Sequence, residues 1–340
     1  MWIYIICFWV SLFVLIFLVA YGKVLNLNMI FLSMVVTIGN GGYFALSRSD
    51  SLESAIIATK LVYTIGAFVP FLTFLVVCYI CKVKIPKLLV VIGYSIQVFI
   101  YLAVLSIGHS DIYYKTVVYY PEGGGSRLIK TYGPLHNLYV ITLFLYLFLN
   151  LVVTILSLYR KKFVSIIDVH QILLMDLMIS GVYITERFFS DGMTLVPIVL
   201  TVGLLILLNP IVKMYNYSIY DNRSIFEDKI KTTGYIMFNK RTGYMGCSEY
   251  AKILFPELAD WEIEKKVPGN GGRFNTFLRQ DFFSFVKNAK RGETKIGTYE
   301  YKDEIFRYEF GILPDAIRGI KGYYIQVENI TDMLRKETKH

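Results

Sequence analysis

Hydrophobic residues dominate the first two thirds of the chain in seven long runs separated by short polar segments. A helix needs about 20 apolar residues to cross about 30 Å of hydrocarbon. Because backbone groups in lipid must be hydrogen-bonded within their own segment, such runs are helices rather than strands. The pattern therefore predicts an all-α bundle of seven transmembrane helices over residues 1–212. The runs span residues 2–21, 26–46, 55–81, 86–108, 137–159, 169–189 and 193–212.

The pattern changes after the seventh run. Residues 213–233 place Ile219, Phe226 and Ile230 at near-helical spacing, which predicts a helical linker that pairs with a second copy of the chain. Residues 234–330 then alternate short apolar runs with turn residues, which predicts a separate α+β domain. Residues 331–340 read as the start of another helix. The predicted strands are 235–238, 296–302, 305–313 and 320–328, the predicted helices are 248–255 and 280–291, and the predicted core is Tyr235, Phe238, Phe282, Phe285 and Phe306.

Charge is divided as unevenly as hydrophobicity. Residues 211–340 carry 22 of the 35 Lys and Arg residues and 18 of the 26 Asp and Glu residues, although they form the shorter part of the chain. The net charge of +9 would suit a nucleic-acid partner, but the basic residues form no run longer than Arg160-Lys161-Lys162. We therefore expect membrane lipid as the partner of the first part and no nucleic acid.

The basic residues between the apolar runs predict an orientation. Short loops rich in Lys and Arg stay on the cytoplasmic side. An external N-terminus and a cytoplasmic C-terminus satisfy this rule. The inner loops then carry Lys23, Lys82, Lys84, Lys87, Arg160, Lys161 and Lys162.

The longest external segment in this orientation is residues 109–136. Two β-prone runs, 113–120 and 126–132, flank Pro121-Glu122-Gly123-Gly124-Gly125. Strand-forming runs on both sides of a Pro/Gly turn predict a β-hairpin.

Ionisable residues inside membrane spans are costly and are therefore candidates for function. Lys60, Glu186 and Arg187 lie at a depth similar to Asn40, near Tyr63, and predict an outward-facing pocket. In it Lys60 or Arg187 meets an anionic ligand, and Glu186 pairs with the other cation. The alternative, which the residues themselves favour, is snorkelling to the interface with one structural salt bridge.

Two polar residues lie deeper in their spans. Gln97 and Asp176 are predicted to be buried. For Asp176 an interhelical hydrogen bond is favoured over a proton-sensing or ligand-sensing role.

No catalytic residue, metal site or cofactor is predicted. His109 and His136 bracket the external segment without a further ligand, and Cys78-x-x-Cys81 has no second pair. The α+β part has no His placed to ligate haem, and Cys247 lacks the surroundings of a flavin-adduct site.

Residues 234–340 resemble a PAS domain. The resemblance lies in Gly234-Tyr-Ile-Met-Phe-Asn-Lys, in Tyr244-Met-Gly-Cys-Ser-Glu-Tyr-Ala, and in the exit Val327-Glu-Asn-Ile-Thr-Asp. PAS domains often end in Asp-Ile-Thr, which caps an outgoing signalling helix. Here Asn329, Ile330 and Thr331 take those positions, so the cap keeps an acceptor but lacks the charge.

The membrane part is similar to the seven-helix N-terminal region of bacterial sensor histidine kinases and diguanylate cyclases. The likeness lies in Asn40-Gly-Gly-Tyr43, Ser51-Leu-Glu-Ser-Ala, Lys60-Leu-Val-Tyr63 and Tyr132-Gly-Pro-Leu. It implies a two-component-type receptor in the bacterial inner membrane that senses an unknown small molecule, forms homodimers and uses an output domain absent from this chain or a separate output protein. We do not expect an enzyme. The N-terminal part of such a kinase or cyclase and a small-molecule transporter stay open as alternatives.

Overall fold

The structure, a computed structural model, describes most of the chain. Its described residues form two compact units, Met1–Tyr159 with Ile167–Ile211 and Arg160–Ile166 with Val212–His340. Outside the description lie residues 1, 22–25, 123–124, 161, 190–193, 218–232, 270–271, 291, 316–318 and 338–340, and the side chains of residues 21, 121–122, 125–127, 187–189, 315 and 336–337.

The first unit is built on seven helices, each long and apolar enough to cross a membrane. This confirms the predicted helical bundle. The helices are α1 (Trp2–Tyr21), α2 (Leu27–Leu46), α3 (Leu52–Ile80), α4 (Lys87–Leu105), α5 (Pro134–Ser157), α6 (Ile166–Phe189) and α7 (Val196–Asn216).

Helix ends differ from the predicted bounds where local chemistry extends them. Helix α3 begins at Leu52, three residues before the predicted residue 55, because Ser51 and Ser54 form a capping box. The Ser54 N–H donates to Ser51 Oγ at 3.3 Å, and the Ser51 N–H donates to Ser54 Oγ at 3.2 Å. Helix α7 continues to Asn216, and the rest of the predicted linker, residues 218–232, lies outside the described residues.

Helices α2 and α3 approach each other closely. A Cβ atom at Gly42 would lie 2.7 Å from the backbone nitrogen of Val62, and one at Gly39 would lie 2.2 Å from Ile65. Only glycine leaves room for this contact. The approach fixes the end of α2 beside the first half of α3.

A β-hairpin lies between α4 and α5, as predicted. Strands β1 (Tyr114–Glu122) and β2 (Gly125–Tyr132) pair antiparallel, with Val118 opposite Ile129. The Tyr119 hydroxyl donates to the carbonyl of Ser49 at 3.1 Å, and the Gly133 N–H donates to the carbonyl of Tyr113 at 2.8 Å. The hairpin is therefore tied to the α2–α3 connection and to the start of α5.

The second unit contains a five-stranded antiparallel sheet in the order β4-β3-β7-β6-β5. Its strands confirm the predicted strand-rich domain, whereas the predicted helix 280–291 is a π-turn at Leu278–Phe282 followed by a short helix. The strands are β3 (Gly234–Asn239), β4 (Tyr244–Cys247), β5 (Thr294–Tyr301), β6 (Glu304–Asp315) and β7 (Gly319–Asn329); the helices are α8 (Glu249–Leu254), α9 (Gly272–Phe277), α10 (Phe283–Asn288) and α11 (Thr331–Glu337).

The predicted core residues of this sheet are all buried, but they lie on two faces. Phe238, Phe282 and Phe306 belong to the main cluster around Trp261. Tyr235 packs in a separate cluster with Met237 and Tyr324, so placing it in the main core was wrong. Successive side chains of a strand point to opposite faces, which separates Tyr235 from Phe238.

Candidate functional site

A cavity of about 590 Å³ lies in the first unit, at the end of the bundle that carries the hairpin. This volume is in the range of small-molecule sites. Its wall is formed by the last turns of α2 and α6, the first half of α3, the first turns of α5 and α7, and strand β2. The aromatic side chains of the wall are Tyr43, Tyr63, Tyr132, His136, Tyr139, Phe144 and Tyr183.

Tyr63 is the centre of the aromatic cluster at this end. Its ring packs edge-on against the rings of Tyr113, Tyr114 and Tyr139, with centroid distances of 5.2, 5.9 and 5.6 Å. The Tyr114 hydroxyl donates to the Tyr63 hydroxyl. Burial raises the pKa of Tyr113 and Tyr114 above the usual range, so both hydroxyls stay protonated.

Glu186 lies in the cavity wall and caps α7. Its carboxylate accepts the Thr194 hydroxyl at 2.6 and 2.7 Å, the N–H of Val196 at 3.2 Å, and the N–H of Leu195. The partial positive charge of a helix N-terminus favours a carboxylate there. Glu186 thus joins the end of α6 to the start of α7.

Lys130 and His136 come from the hairpin side of the cavity. The Lys130 ammonium lies 5.5 Å from the ring centre of Tyr63 and 5.3 Å from that of Tyr114. His136 is buried and stacks on Tyr132 with ring centres 3.8 Å apart. The hairpin thereby places a cation beside the aromatic wall.

The predicted pocket residues are divided by the structure. Tyr63 and Glu186 line the cavity, whereas Asn40 and Lys60 lie outside its wall. Asn40 is fully buried, and its Nδ2 donates to the carbonyl of Cys7, to Ser11 Oγ and to Thr201 Oγ1 at 3.0 to 3.2 Å. It joins α1, α2 and α7. The side chain of Arg187 lies outside the described residues.

Both deeper polar residues are buried. Thr154 Oγ1 of α5 donates to Asp176 Oδ2 of α6 at 2.9 Å, which is the interhelical hydrogen bond expected for Asp176. Gln97 lies in α4, and its Nε2 has no hydrogen-bond partner among the described residues.

Several cavity residues were not among the sequence candidates. Thr59 lies four residues before the predicted Tyr63 on α3, and Tyr139 lies three residues after His136 on α5, so each pair shares a helix face. This spacing was the available signal. Lys130 could not be found in this way, because only the folded hairpin brings it to the wall.

The metal-site candidates and the second unit give less support for a functional site. Within the part of the chain that the structure describes, no group of three or more His, Cys, Asp or Glu side chains is placed to hold a metal. His109 is exposed, whereas His136 is buried. The second unit has an open surface groove lined by Arg273, Gln280 and Tyr299. This groove adjoins residues 270–271, which lie outside the description.

The exit residues of the sheet domain form a helix cap. The N–H and the Oγ1 of Thr331 donate to Asn329 Oδ1 at 3.0 and 2.7 Å, and Thr331 Oγ1 accepts the N–H of Ile305 at 2.9 Å. The Ile330 N–H donates to the carbonyl of Ile305 at 2.9 Å. These bonds tie the start of α11 to strand β6.

Glu264 is the centre of a polar cluster within the second unit. Its carboxylate accepts Ser165 Oγ at 2.5 Å and the Lys213 ammonium at 2.9 Å. Lys162 pairs with Asp260 at 2.7 Å.

Comparison of the chain with known protein families and with curated proteins found no match. A function is therefore inferred from the geometry of the aromatic cavity and of the Glu264 cluster.

Proposed function

We propose that the chain is a bacterial inner-membrane signalling receptor that binds an external small molecule in the cavity of the helical unit and relays binding to the sheet domain. The N-terminus and the hairpin lie outside and the C-terminus lies in the cytoplasm. The Lys and Arg content of the short loops supports this orientation. The output activity belongs to a further domain or a separate protein, and the receptor acts as a homodimer.

The Glu264 cluster carries the proposal. Segment Arg160–Ile166 connects α5 to α6, and Lys213 lies in the last turn of α7, yet both belong to the same compact unit as the sheet. One carboxylate therefore contacts two segments that continue directly from transmembrane helices. A displacement of either helix end changes the environment of Glu264.

The sheet domain supports the relay role through its element order. Two strands, short helices, three antiparallel strands and a capped exit helix follow one another, as the PAS resemblance implies. The cap at Asn329 and Thr331 ties that exit helix to β6, so a change in the sheet reaches α11.

Amide hydrogen exchange of the full chain in lipid nanodiscs tests the relay. A compound that raises the melting temperature of the chain is expected to change exchange in β3, β7 and α11. Glu264→Gln keeps the size of the side chain but removes its charge, and we expect it to weaken this change. Glu300→Gln, on exposed β5, is the matched control.

Two results would contradict the receptor. The first is a stabilising compound that leaves exchange in the sheet domain unchanged. The second is an equal response in Glu264→Gln and in the unmodified chain. Flux of the compound across proteoliposomes without a response in the sheet would favour a transporter instead.

A further inference from the structure

Two charged side chains in the described part of the cavity wall, Glu186 and Lys130, already interact with the protein. The Glu186 carboxylate accepts hydrogen bonds from Thr194 and from two backbone N–H groups, and the N-terminus of α7 opposes its charge. The Lys130 ammonium lies over the rings of Tyr63 and Tyr114, and such rings attract a cation. Moving a charged ligand out of water is costly unless it gains a charged partner. A charged ligand would therefore have to draw one of these two groups away from its present contacts.

Thr59 differs from five other buried threonines of the helical unit. In each of those five, the hydroxyl donates to a backbone carbonyl three or four residues earlier in its own helix, at 2.7 to 2.9 Å. They are Thr37, Thr64, Thr142, Thr154 and Thr201. Thr59 is only 3 % exposed and lines the cavity, yet its Oγ1 has no hydrogen-bond partner among the described residues. Its hydroxyl is therefore available to a molecule in the cavity.

Tyr183 supplies a second hydroxyl of this kind from a different helix. It lies on α6, whereas Thr59 lies on α3. Tyr183 also lines the cavity, and its buried hydroxyl has no partner in the part of the chain that the structure describes. Buried tyrosine hydroxyls usually have one, as in Tyr94, whose hydroxyl donates to Asn28 Oδ1 at 2.7 Å. Because a buried hydroxyl without a partner is destabilising, an oxygen acceptor in the cavity would stabilise the structure at both positions.

We propose that the cavity binds an uncharged, flat organic molecule that carries oxygen acceptors. Its apolar body packs against the tyrosine rings, which favour stacked and edge-on contacts with aromatic groups. Its oxygen atoms accept hydrogen bonds from Thr59 and Tyr183, so the ligand joins α3 to α6. The inference rests on the proposed receptor function, for which it names the class of stimulus.

Four probes of similar size separate the contribution of charge from that of oxygen acceptors. Coumarin is uncharged and carries a lactone carbonyl, and naphthalene has a similar two-ring shape without oxygen. Coumarin-3-carboxylate and 3-aminomethylcoumarin add a negative or a positive charge. Each probe is titrated by equilibrium dialysis against the full chain in phosphatidylcholine nanodiscs, with empty nanodiscs as the blank for partition into lipid. Coumarin is expected to bind about tenfold more tightly than naphthalene and than either charged probe.

Three results of these titrations would overturn the inference. A charged probe that binds more tightly than coumarin assigns the cavity to an ion. Equal binding of coumarin and naphthalene shows that the two hydroxyls do not contact the ligand. Binding of none of the four probes excludes a site for this class of molecule.

Removing the two hydroxyls tests the contacts one at a time. Tyr183→Phe and Thr59→Val keep the shape of the side chain. Each is expected to weaken coumarin binding about fivefold and to leave naphthalene binding unchanged. Neither should lower the melting temperature, because no hydrogen bond to a described residue is lost. Unchanged coumarin binding in both variants would refute the proposal.

Two variants outside the described cavity wall are the matched controls. Tyr94→Phe removes the hydroxyl that donates to Asn28, and Thr142→Val removes the hydroxyl that donates to the carbonyl of Tyr139. Both should leave coumarin binding unchanged, and Tyr94→Phe should lower the melting temperature. Coumarin binding that weakens as much in the controls as in Tyr183→Phe and Thr59→Val would contradict the assigned contacts.

Failure of this inference can be distinguished from failure of the proposed function. Coumarin binding that depends on Thr59 and Tyr183 but leaves amide exchange in the sheet domain unchanged sustains the ligand class and refutes the receptor. An exchange response to a charged probe, with no binding of coumarin, sustains the receptor and refutes the ligand class.

Discussion

The two units use aromatic residues in opposite ways. In the sheet domain the rings fill the interior, with Phe255 and Phe274 stacked at 3.9 Å and Phe277 and Tyr299 at 4.2 Å. At the hairpin end of the helical unit the rings surround about 590 Å³ of space instead. The aromatic residues of the sheet domain form a packed core, and those at the hairpin end of the helical unit line a cavity.

The kind of aromatic residue explains much of this difference. Phenylalanine dominates the sheet core, whereas five tyrosines line the cavity. A tyrosine hydroxyl needs a hydrogen-bond partner when it is buried, so it suits a wall that faces a ligand or water better than a dry core. Under the proposed function, a ligand is therefore expected to bind in the helical unit rather than in the core of the sheet domain.

Truncating one ring in each unit gives the largest expected contrast. Phe238→Ala removes a fully buried ring whose centre lies 4.6 Å from that of the Phe282 ring. It should lower the free energy of unfolding by about 3–5 kcal/mol. Phe144→Ala removes a ring that lines the cavity and is 39 % exposed, so about 1 kcal/mol or less is expected.

Urea unfolding of the full chain in nanodiscs measures both variants. Trp261 reports the sheet domain once Trp2 and Trp9 are replaced by phenylalanine, and circular dichroism reports the helices. Equal losses in the two variants would mean that the cavity wall is as tightly packed as the sheet core.

The approach of α2 to α3 gives the next largest effect. Gly42→Ala would place a Cβ 2.7 Å from the backbone of Val62, and backbone cannot move aside as a flexible side chain can. We expect a loss of about 1–3 kcal/mol, because overpacking separates the helices. Binding of a ligand in the cavity should weaken too, since the cavity residues Tyr43 and Tyr63 lie next to this contact.

Gly181→Ala is the matched control for Gly42→Ala. Nothing among the described residues lies within 4 Å of a Cβ built at Gly181. Alanine there should stabilise α6 by about 0.5–1 kcal/mol, because glycine is entropically costly inside a helix. Melting temperatures by circular dichroism compare the two, and a loss in both would show that the close approach is not the cause.

The sequence predicted the elements better than the site. Seven apolar runs are enough to specify seven helices, and Pro121 with the following glycines was enough for the hairpin. The strand faces were harder, because both faces of β3 are buried. Tyr235 and Phe238 are three residues apart and therefore lie on opposite faces, but burial on both sides leaves no polar face to show which residue belongs to the main cluster. Helix α9 was missed because it is one short helix of six residues without periodicity.

Most residues of the cavity could not be predicted from the sequence, because only tertiary contacts bring them together. Glu186 was found because an ionisable residue is unusual in a span, and Tyr63 because it belongs to the motif Lys60-Leu-Val-Tyr63 on which the family resemblance rests. Lys130 lies in a polar hairpin, where a lysine carries no signal until the strand places it against two rings. The role of Glu186 as the cap of α7 was also hidden, because Thr194 and Leu195 follow it by eight and nine residues.

A smaller loss of stability is expected when the buried hydrogen bonds of Asn40 are removed. Asn40→Ala removes three hydrogen bonds of Nδ2, but Thr201 Oγ1 keeps its own bond to the carbonyl of Pro197 at 2.7 Å. Interhelical hydrogen bonds in membranes average about 0.6 kcal/mol. Thermal unfolding should therefore show a loss near 1 kcal/mol, and Ser95→Ala, on an exposed part of α4, should show none. A loss in Asn40→Ala as large as in Phe238→Ala would show that polar contacts hold the bundle more than packing does.

The smallest expected effect lies at the exit of the sheet domain. Asn329→Asp keeps the acceptor for the Thr331 N–H and adds a negative charge at the start of α11, which should stabilise by about 0.3–1 kcal/mol. Asn329→Ala removes the acceptor and should cost about 1 kcal/mol. The helix lowers the pKa of the new carboxyl, so the gain is present above the unfolded pKa of about 3.9 and is lost as pH falls through the folded value. Urea unfolding at pH 7 and pH 3 measures this difference. A gain that persists at pH 3 would mean that the charge is not its source and that the missing charge at this cap has no electrostatic consequence.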